Sequence, residues 1–170
     1  MQKANNMQQI DFATVALYFR HGMEAGVLSE ANTRDWVLQA VEILKAPPEE
    51  LVEVLSSRSY THLFEALKDV PGRGQLHLAG QWLFHDLHLQ LVTRKVDAFP
   101  TISTQAVQVA RITEQGENVQ SKLVALDASA DMACMGYASS LEECRNELIN
   151  ALAQYAQSPQ LVIQGSGMSA

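Results

Sequence analysis

The sequence predicts a mainly α domain: a multi-helix array packed around one central buried helix at residues 75–95. Three observations predict it. Apolar residues recur at helical spacing from Ile10 to Asp69. Helix-stop signals separate those stretches, at Gly26, at Pro47-Pro48 and at Val70-Pro71-Gly72-Arg73-Gly74. The apolar fraction of 47% in a 170-residue chain suffices for a core, and aromatics at only 6% make that core mostly aliphatic and alanine.

The first helix is expected over residues 11–25, with Phe12, Val15, Ala16, Phe19 and Met23 on one stripe. Gly26 follows as a C-terminal stop, and Ser29 or Asn32 can cap the second helix. That helix points Trp36, Val37, Ala40, Val41, Ile43 and Leu44 inward, and the short link predicts that the two helices pack antiparallel. Pro47 and Pro48 end it and start a third, since proline suits a first helical turn. Glu49 and Glu50 then meet the positive end of the third helix, which buries Leu51, Val52 and Leu55. A short fourth helix carries Tyr60, Leu63, Phe64 and Leu67 inward.

Residues 75–95 make the longest candidate helix. One face holds Leu76, Ala79, Leu83, Phe84, Leu87 and Leu91; the opposite face holds Leu78, Trp82, Leu89 and Val92, with His85 among them. A helix apolar on both sides belongs between neighbours, hence the central place assigned to it. Beyond Pro100 the pattern divides. Ala106, Val107 and Ala110 fit a helix, whereas Val107-Gln108-Val109 alternates like a strand, so a small β element within 105–137 or 160–164 stays open beside the favoured helices. Ser140 and Glu143 form a capping box for a last helix with Leu141, Cys144, Leu148, Ala151, Leu152 and Tyr155 along one face. Ser158-Pro159 stops it. The organisation expected is a flexible N-terminus at 1–9, one helical domain at 10–157 and a largely disordered tail at 158–170.

The net charge is −7 and is unevenly spread. Residues 24–53 hold seven acids against Arg34 and Lys45, residues 114–147 hold seven against Lys122 and Arg145, and the stretch between them is mildly basic. This balance argues against nucleic-acid backbone binding, which needs a basic patch, and suits a basic protein partner. No apolar run reaches the roughly 18 residues of a membrane span, and residues 1–11 have no apolar h-region, so a cytoplasmic protein is expected. Cys134 and Cys144 lack a CxxC pattern and read as reduced thiols, with Cys134 buried between Met132 and Met135.

Few residues suggest chemistry. Leu17-Tyr18-Phe19-Arg20-His21-Gly22 resembles the RHG motif of the histidine phosphatase superfamily. There the histidine is the phosphorylated nucleophile, the arginine binds phosphate, and the motif closes the first strand of an α/β fold. Two features depart from that pattern. The stripe from Phe12 to Met23 is helical, which puts Arg20 and His21 on an exposed polar side, and no histidine follows His88 to complete the site. On a helix His85 and His88 can share a metal, but His77 lies about 16 Å along the axis from His88, too far for one ion. The reading adopted is one buried, hydrogen-bonded histidine, His85, with His77 and His88 on a polar strip. GxSxG, GxxxxGK[ST] and GxGxxG are all missing from the sequence. No catalytic residue, metal or cofactor is assigned, and Trp36 and Trp82 read as core.

Wider matches concern protein binding. The turn Gly26-Val27-Leu28-Ser29, the following Trp36, the Pro47-Pro48 start leading to Leu51, and the Ser-Leu-Glu-Glu-x-Arg-x-Glu-Leu helix at 140–148 resemble small helical bacterial toxin-immunity proteins. That resemblance implies a cytoplasmic inhibitor that covers the active site of a secreted toxin. The segments 107–112, 122–128 and 133–137, with the helix from Leu141, are similar to the β-β-β-α order of HicB-like antitoxins, which also implies partner binding. The expected function is a non-enzymatic protein-binding module of the immunity type. The clustered acids Glu42, Glu49, Glu50 and Glu53 are the expected partner-binding residues, facing a basic toxin domain. The alternatives are a phosphatase using Arg20-His21-Gly22 and a structural subunit of a larger assembly.

Overall fold

The computed structural model describes residues 10–94, 98–137 and 140–163. Within them lie α1 (Phe12–Glu24), α2 (Glu30–Ile43), α3 (Glu49–Ser56), α4 (Tyr60–Ala66), α5 (Leu76–Thr93), α6 (Phe99–Ile112), α7 (Glu117–Cys134) and α8 (Leu141–Tyr155), with a 3-10 turn at Leu67–Asp69 after α4. The chain is mainly helical, and no strand occurs among the described residues. The small β element is not formed among the described residues; residue 164 lies outside them. Residues 105–112 lie in α6, residues 117–134 in α7, and residues 160–163 run without strand pairing. The alternation at Val107 and Val109 is outweighed by a longer helical repeat, in which Phe99, Ile102, Ser103, Ala106, Val109 and Ala110 are all buried. The strand order of the HicB-like resemblance is therefore not formed.

Two groups of helices share the core. In one, α1 packs on α5, α5 on α6 and α8, α6 on α7, and α7 on α8. In the other, α3 lies against α2 and α4, and the 3-10 turn joins this group to α1. Trp36 of α2 adds an aromatic link, its ring 6.1 Å from that of Phe12 and 5.5 Å from that of Phe19. Its indole nitrogen donates to the Leu161 carbonyl at 3.1 Å, and Leu161 and Ile163 rest against the core.

The expected central helix is only partly enclosed. Ala79, Leu83, Phe84, Leu87 and Leu91 of α5 are buried, as is Trp82, but Leu89 and Val92 face solvent. The more enclosed helix is α1, where Thr14, Tyr18, His21 and Gly22 are buried along with the apolar stripe. Prolines act one step earlier than the sequence suggests. α2 stops at Ile43, ahead of the residues that Pro47 restricts, and Pro48 serves as the N-cap of α3 rather than its first residue. Ser29 is the cap of α2, in a reciprocal box with Asn32. Ser140 accepts from the Glu143 backbone N–H at 3.2 Å to cap α8.

Side-chain amides close the joints. Gln105 and Gln108 of α6 donate to the carbonyls of Gly26 (3.0 Å) and Glu24 (3.3 Å) at the end of α1. Gln115 donates to the His77 carbonyl at 2.9 Å and to the Thr113 hydroxyl at 3.0 Å, which seats the α6–α7 connection on α5. Gly80 makes that seating possible: a Cβ there would lie 2.2 Å from Thr113 Oγ1 and 2.3 Å from Gln115 Nε2. Both atoms belong to the hydrogen-bonded seat and cannot swing away freely. Gly80→Ala is therefore expected to destabilise the fold by about 1–3 kcal/mol through overpacking. Glu114 sits just past α6 at φ 52°, where a side chain is strained. Glu114→Gly should accordingly stabilise by about 0.5–1 kcal/mol. Urea unfolding of the two variants beside the parent checks both signs.

Candidate functional site

The acids expected to meet a partner lie on α2 and α3, which pack against each other. Thr33, Trp36, Val37 and Ala40 turn inward on α2, and the remaining side presents Asp35, Leu38 and Glu42 to solvent at i, i+3, i+7 spacing. On α3, Leu51 and Val54 are buried, and Glu49, Val52 and Glu53 are exposed while Glu50 is half-buried. Glu53 reaches His62 of α4 at 3.8 Å. Glu42, Glu49 and Glu50 make no ion pair among the described residues. Glu49 and Glu50 favour the positive end of α3, whereas Glu42 stands in the last turn of α2, where the helix dipole opposes a carboxylate.

The apolar members of this face depart from expectation. Helical periodicity places Val52 and Ile43 inward, but they are 44% and 42% exposed, and Leu38 is 44% exposed. Val52 turns out because α3 buries Leu51, Val54 and Leu55 against its neighbours, leaving the adjacent azimuth to solvent. The exposed sides of α2 and α3 thus each carry large apolar side chains beside carboxylates, of which Glu53 is shared with His62.

The Arg20-His21-Gly22 motif has a different environment from the exposed one its stripe suggested. It lies within α1, so the strand that the phosphatase resemblance implies is not formed. The Arg20 guanidinium lies over the Phe64 ring, 4.1 Å from its centroid, and Nε donates to the Phe64 carbonyl at 3.3 Å. His21 is buried, with Nδ1 2.9 Å from Glu24 Oε2. Gly22 admits close approach, since a Cβ would lie 2.5 Å from Leu28 Cδ1. Each motif residue thus serves the packing of α1. The buried histidine is this one; His85, placed in the core from sequence, is only half-buried because α5 is open on that side.

No group of three or more His, Cys, Asp or Glu side chains able to hold a metal occurs among the described residues. Cys134 is exposed rather than buried, because α7 turns its Met132-Cys134-Met135 end to solvent. Cys144 is buried, and burial, followed by Glu147 and Glu143 nearby, pushes its thiol up.

An open cleft of about 570 Å³ lies where the start of α1 meets the 72–75 turn, with Leu78 and Trp82 of α5 and Gln160 on its walls. Asp11 organises its rim by accepting from the backbone N–H groups of Arg73 and Gly74, both at 3.0 Å. Thr14 donates to Asp11 at 2.5 Å and accepts from the Gln75 N–H at 2.9 Å. Its walls come from distant stretches of chain, and no local motif announced it. Behind Trp82, Tyr18 donates to Asp86 at 2.5 Å, linking α1 to α5. Burial, then the Asp86 charge, drives the Tyr18 phenol far up. Burial also raises the Asp86 carboxyl, against the lowering by the Tyr18 hydrogen bond and by His85.

No helix among the described residues is long and apolar enough to cross a membrane. Comparison with protein-family models, curated proteins and solved structures finds no match.

The raised Asp86 carboxyl has a definite sign. The unfolded chain ionises first as pH rises, so the folded state holds the extra proton and stability is lost across the interval between the two values. Asp86→Asn keeps an acceptor for Tyr18 without that charge, so its stability relative to the parent should improve from acid to neutral pH. Asp86→Ala strands the buried phenol and should cost about 1–3 kcal/mol. Denaturant titrations across that pH range read both. Under native conditions a maleimide should label Cys134 and spare Cys144, as peptide mapping by mass spectrometry will show.

Proposed function

We propose that this chain is a non-enzymatic protein-binding module of the immunity type, which neutralises a bacterial toxin in the cytoplasm by covering a basic surface on it. The observation that carries the reading is the amphiphilic α2–α3 face, where Leu38 and Val52 stand exposed among Asp35, Glu42, Glu49 and Glu53. Protein interfaces combine an apolar centre, which supplies hold, with a charged rim, which supplies steering and register. Both kinds of side chain are exposed on these adjacent helices, and Glu42 and Glu49, which make no ion pair among the described residues, can meet lysines and arginines of a partner. The acidic balance of residues 24–53 extends the attraction beyond contact distance.

Co-expression with secreted-toxin genes from the same neighbourhood tests the proposal. A complex and protection of the host are expected; no complex and no protection with any neighbouring toxin would sink it. The two parts of the face should then separate kinetically. Glu42→Lys, Glu49→Lys and Glu53→Lys together should slow association about tenfold or more at low salt. Leu38→Asp with Val52→Asp should instead speed dissociation. Stopped-flow association and surface-plasmon dissociation measure the two rates.

A further inference from the structure

α7 has a second apolar side that no other element among the described residues buries. Leu123, Leu126 and Ala130 are buried, and Val119 and Ala133 rest against the core, where α7 packs on α6 and α8. On the opposite side Val124, Ala128, Met132 and Met135 follow one another at spacings of three and four residues, all exposed. Val124 is 51%, Met132 46% and Met135 65% exposed. The stripe runs about 17 Å along the helix axis. A helix apolar on both sides is normally enclosed on both.

Charge says what fits there. Glu117 and Asp131 stand exposed on α7, and Glu142 and Glu143 are exposed in the first turn of α8, which packs on α7. Residues 114–147 hold seven acids against Lys122 and Arg145. Arg145 is already committed, donating to the Leu91 carbonyl at 2.8 Å at the end of α5. A second copy of this chain would set like charges against like charges on this face. A basic, apolar partner meets both features at once, and the unbranched methionines adapt to its side chains.

We propose that this side of α7 is a second docking surface, and that its occupant is a basic amphipathic helix of a partner protein. The apolar stripe of that helix lies along Val124, Ala128, Met132 and Met135, and its lysines and arginines face Glu117, Asp131 and the carboxylates at the start of α8. This surface is distinct in sequence from the α2–α3 face and does not rest on the function proposed for it.

The test uses the full chain and an 18-residue Leu/Lys amphipathic model peptide carrying a fluorophore, with a Leu/Glu peptide of the same pattern as comparison. Fluorescence anisotropy should show binding of the Leu/Lys peptide and weaker binding of the Leu/Glu peptide. Met132→Asp with Met135→Asp should weaken the Leu/Lys peptide about tenfold or more, with the circular dichroism of the parent retained because both side chains are exposed. Glu42→Lys with Glu49→Lys and Glu53→Lys should leave its affinity within about twofold. Amide shift changes confined to α7 and the start of α8 would place the peptide directly. Unchanged affinity in the double methionine variant, or equal binding of the Leu/Glu peptide, overturns the proposal. So does a parent dimer that Met132→Asp and Met135→Asp dissociate, since the occupant would then be a second copy.

Discussion

The burial of α1 on almost every side is the constraint from which the rest of the architecture follows. A helix so enclosed cannot leave its polar side chains to water, and each one must find a partner inside. Each partner ties down another part of the chain. Thr14 works with Asp11 to hold the 73–75 backbone, and Tyr18 reaches Asp86 on α5. Arg20 lies on Phe64 of α4, while Phe12 and Phe19 receive Trp36 of α2. Both helix groups therefore meet at α1. The same packing covers His21 and holds the half-buried Arg20 against Phe64.

Most of this framework was legible in the sequence. Helical periodicity, the Ser29 and Ser140 caps and the break at residues 70–74 all appear in the fold. Periodicity reports that an apolar stripe exists, but not whether a neighbour covers it. That is why Val52, Ile43 and Cys134 were assigned inward and are exposed, and why Leu141, assigned to the inner face of α8, is also exposed. Enclosure is set by the helices that pack across an element, and these are distant in the chain. The two histidines illustrate it. His85 lies in an apolar run yet sits on the open side of α5, while His21 lies in a polar-looking run yet is covered.

The candidate surface shows the same division. Its acids are legible because Glu42 and residues 49–53 flank one turn, so local sequence places them at the facing ends of α2 and α3. The exposed apolar residues are not legible in this way, since Leu38 and Val52 become surface groups only through the way α2 and α3 pack. The cleft beside Trp82 was beyond local reading altogether, as its walls come from both ends of the described chain.

The α1–α2 turn has one more consequence. Its carbonyls are held by Gln105 and Gln108 of α6, and Gln90 of α5 approaches the Val27 carbonyl at 3.5 Å. Glutamine amides do not titrate and attract no counter-ions, so these contacts do not themselves depend on acidity or ionic strength. The carboxylates carried on α2 respond to both. The turn is thus gripped by contacts indifferent to the medium, while the carboxylates beside it respond to the medium in how strongly they attract.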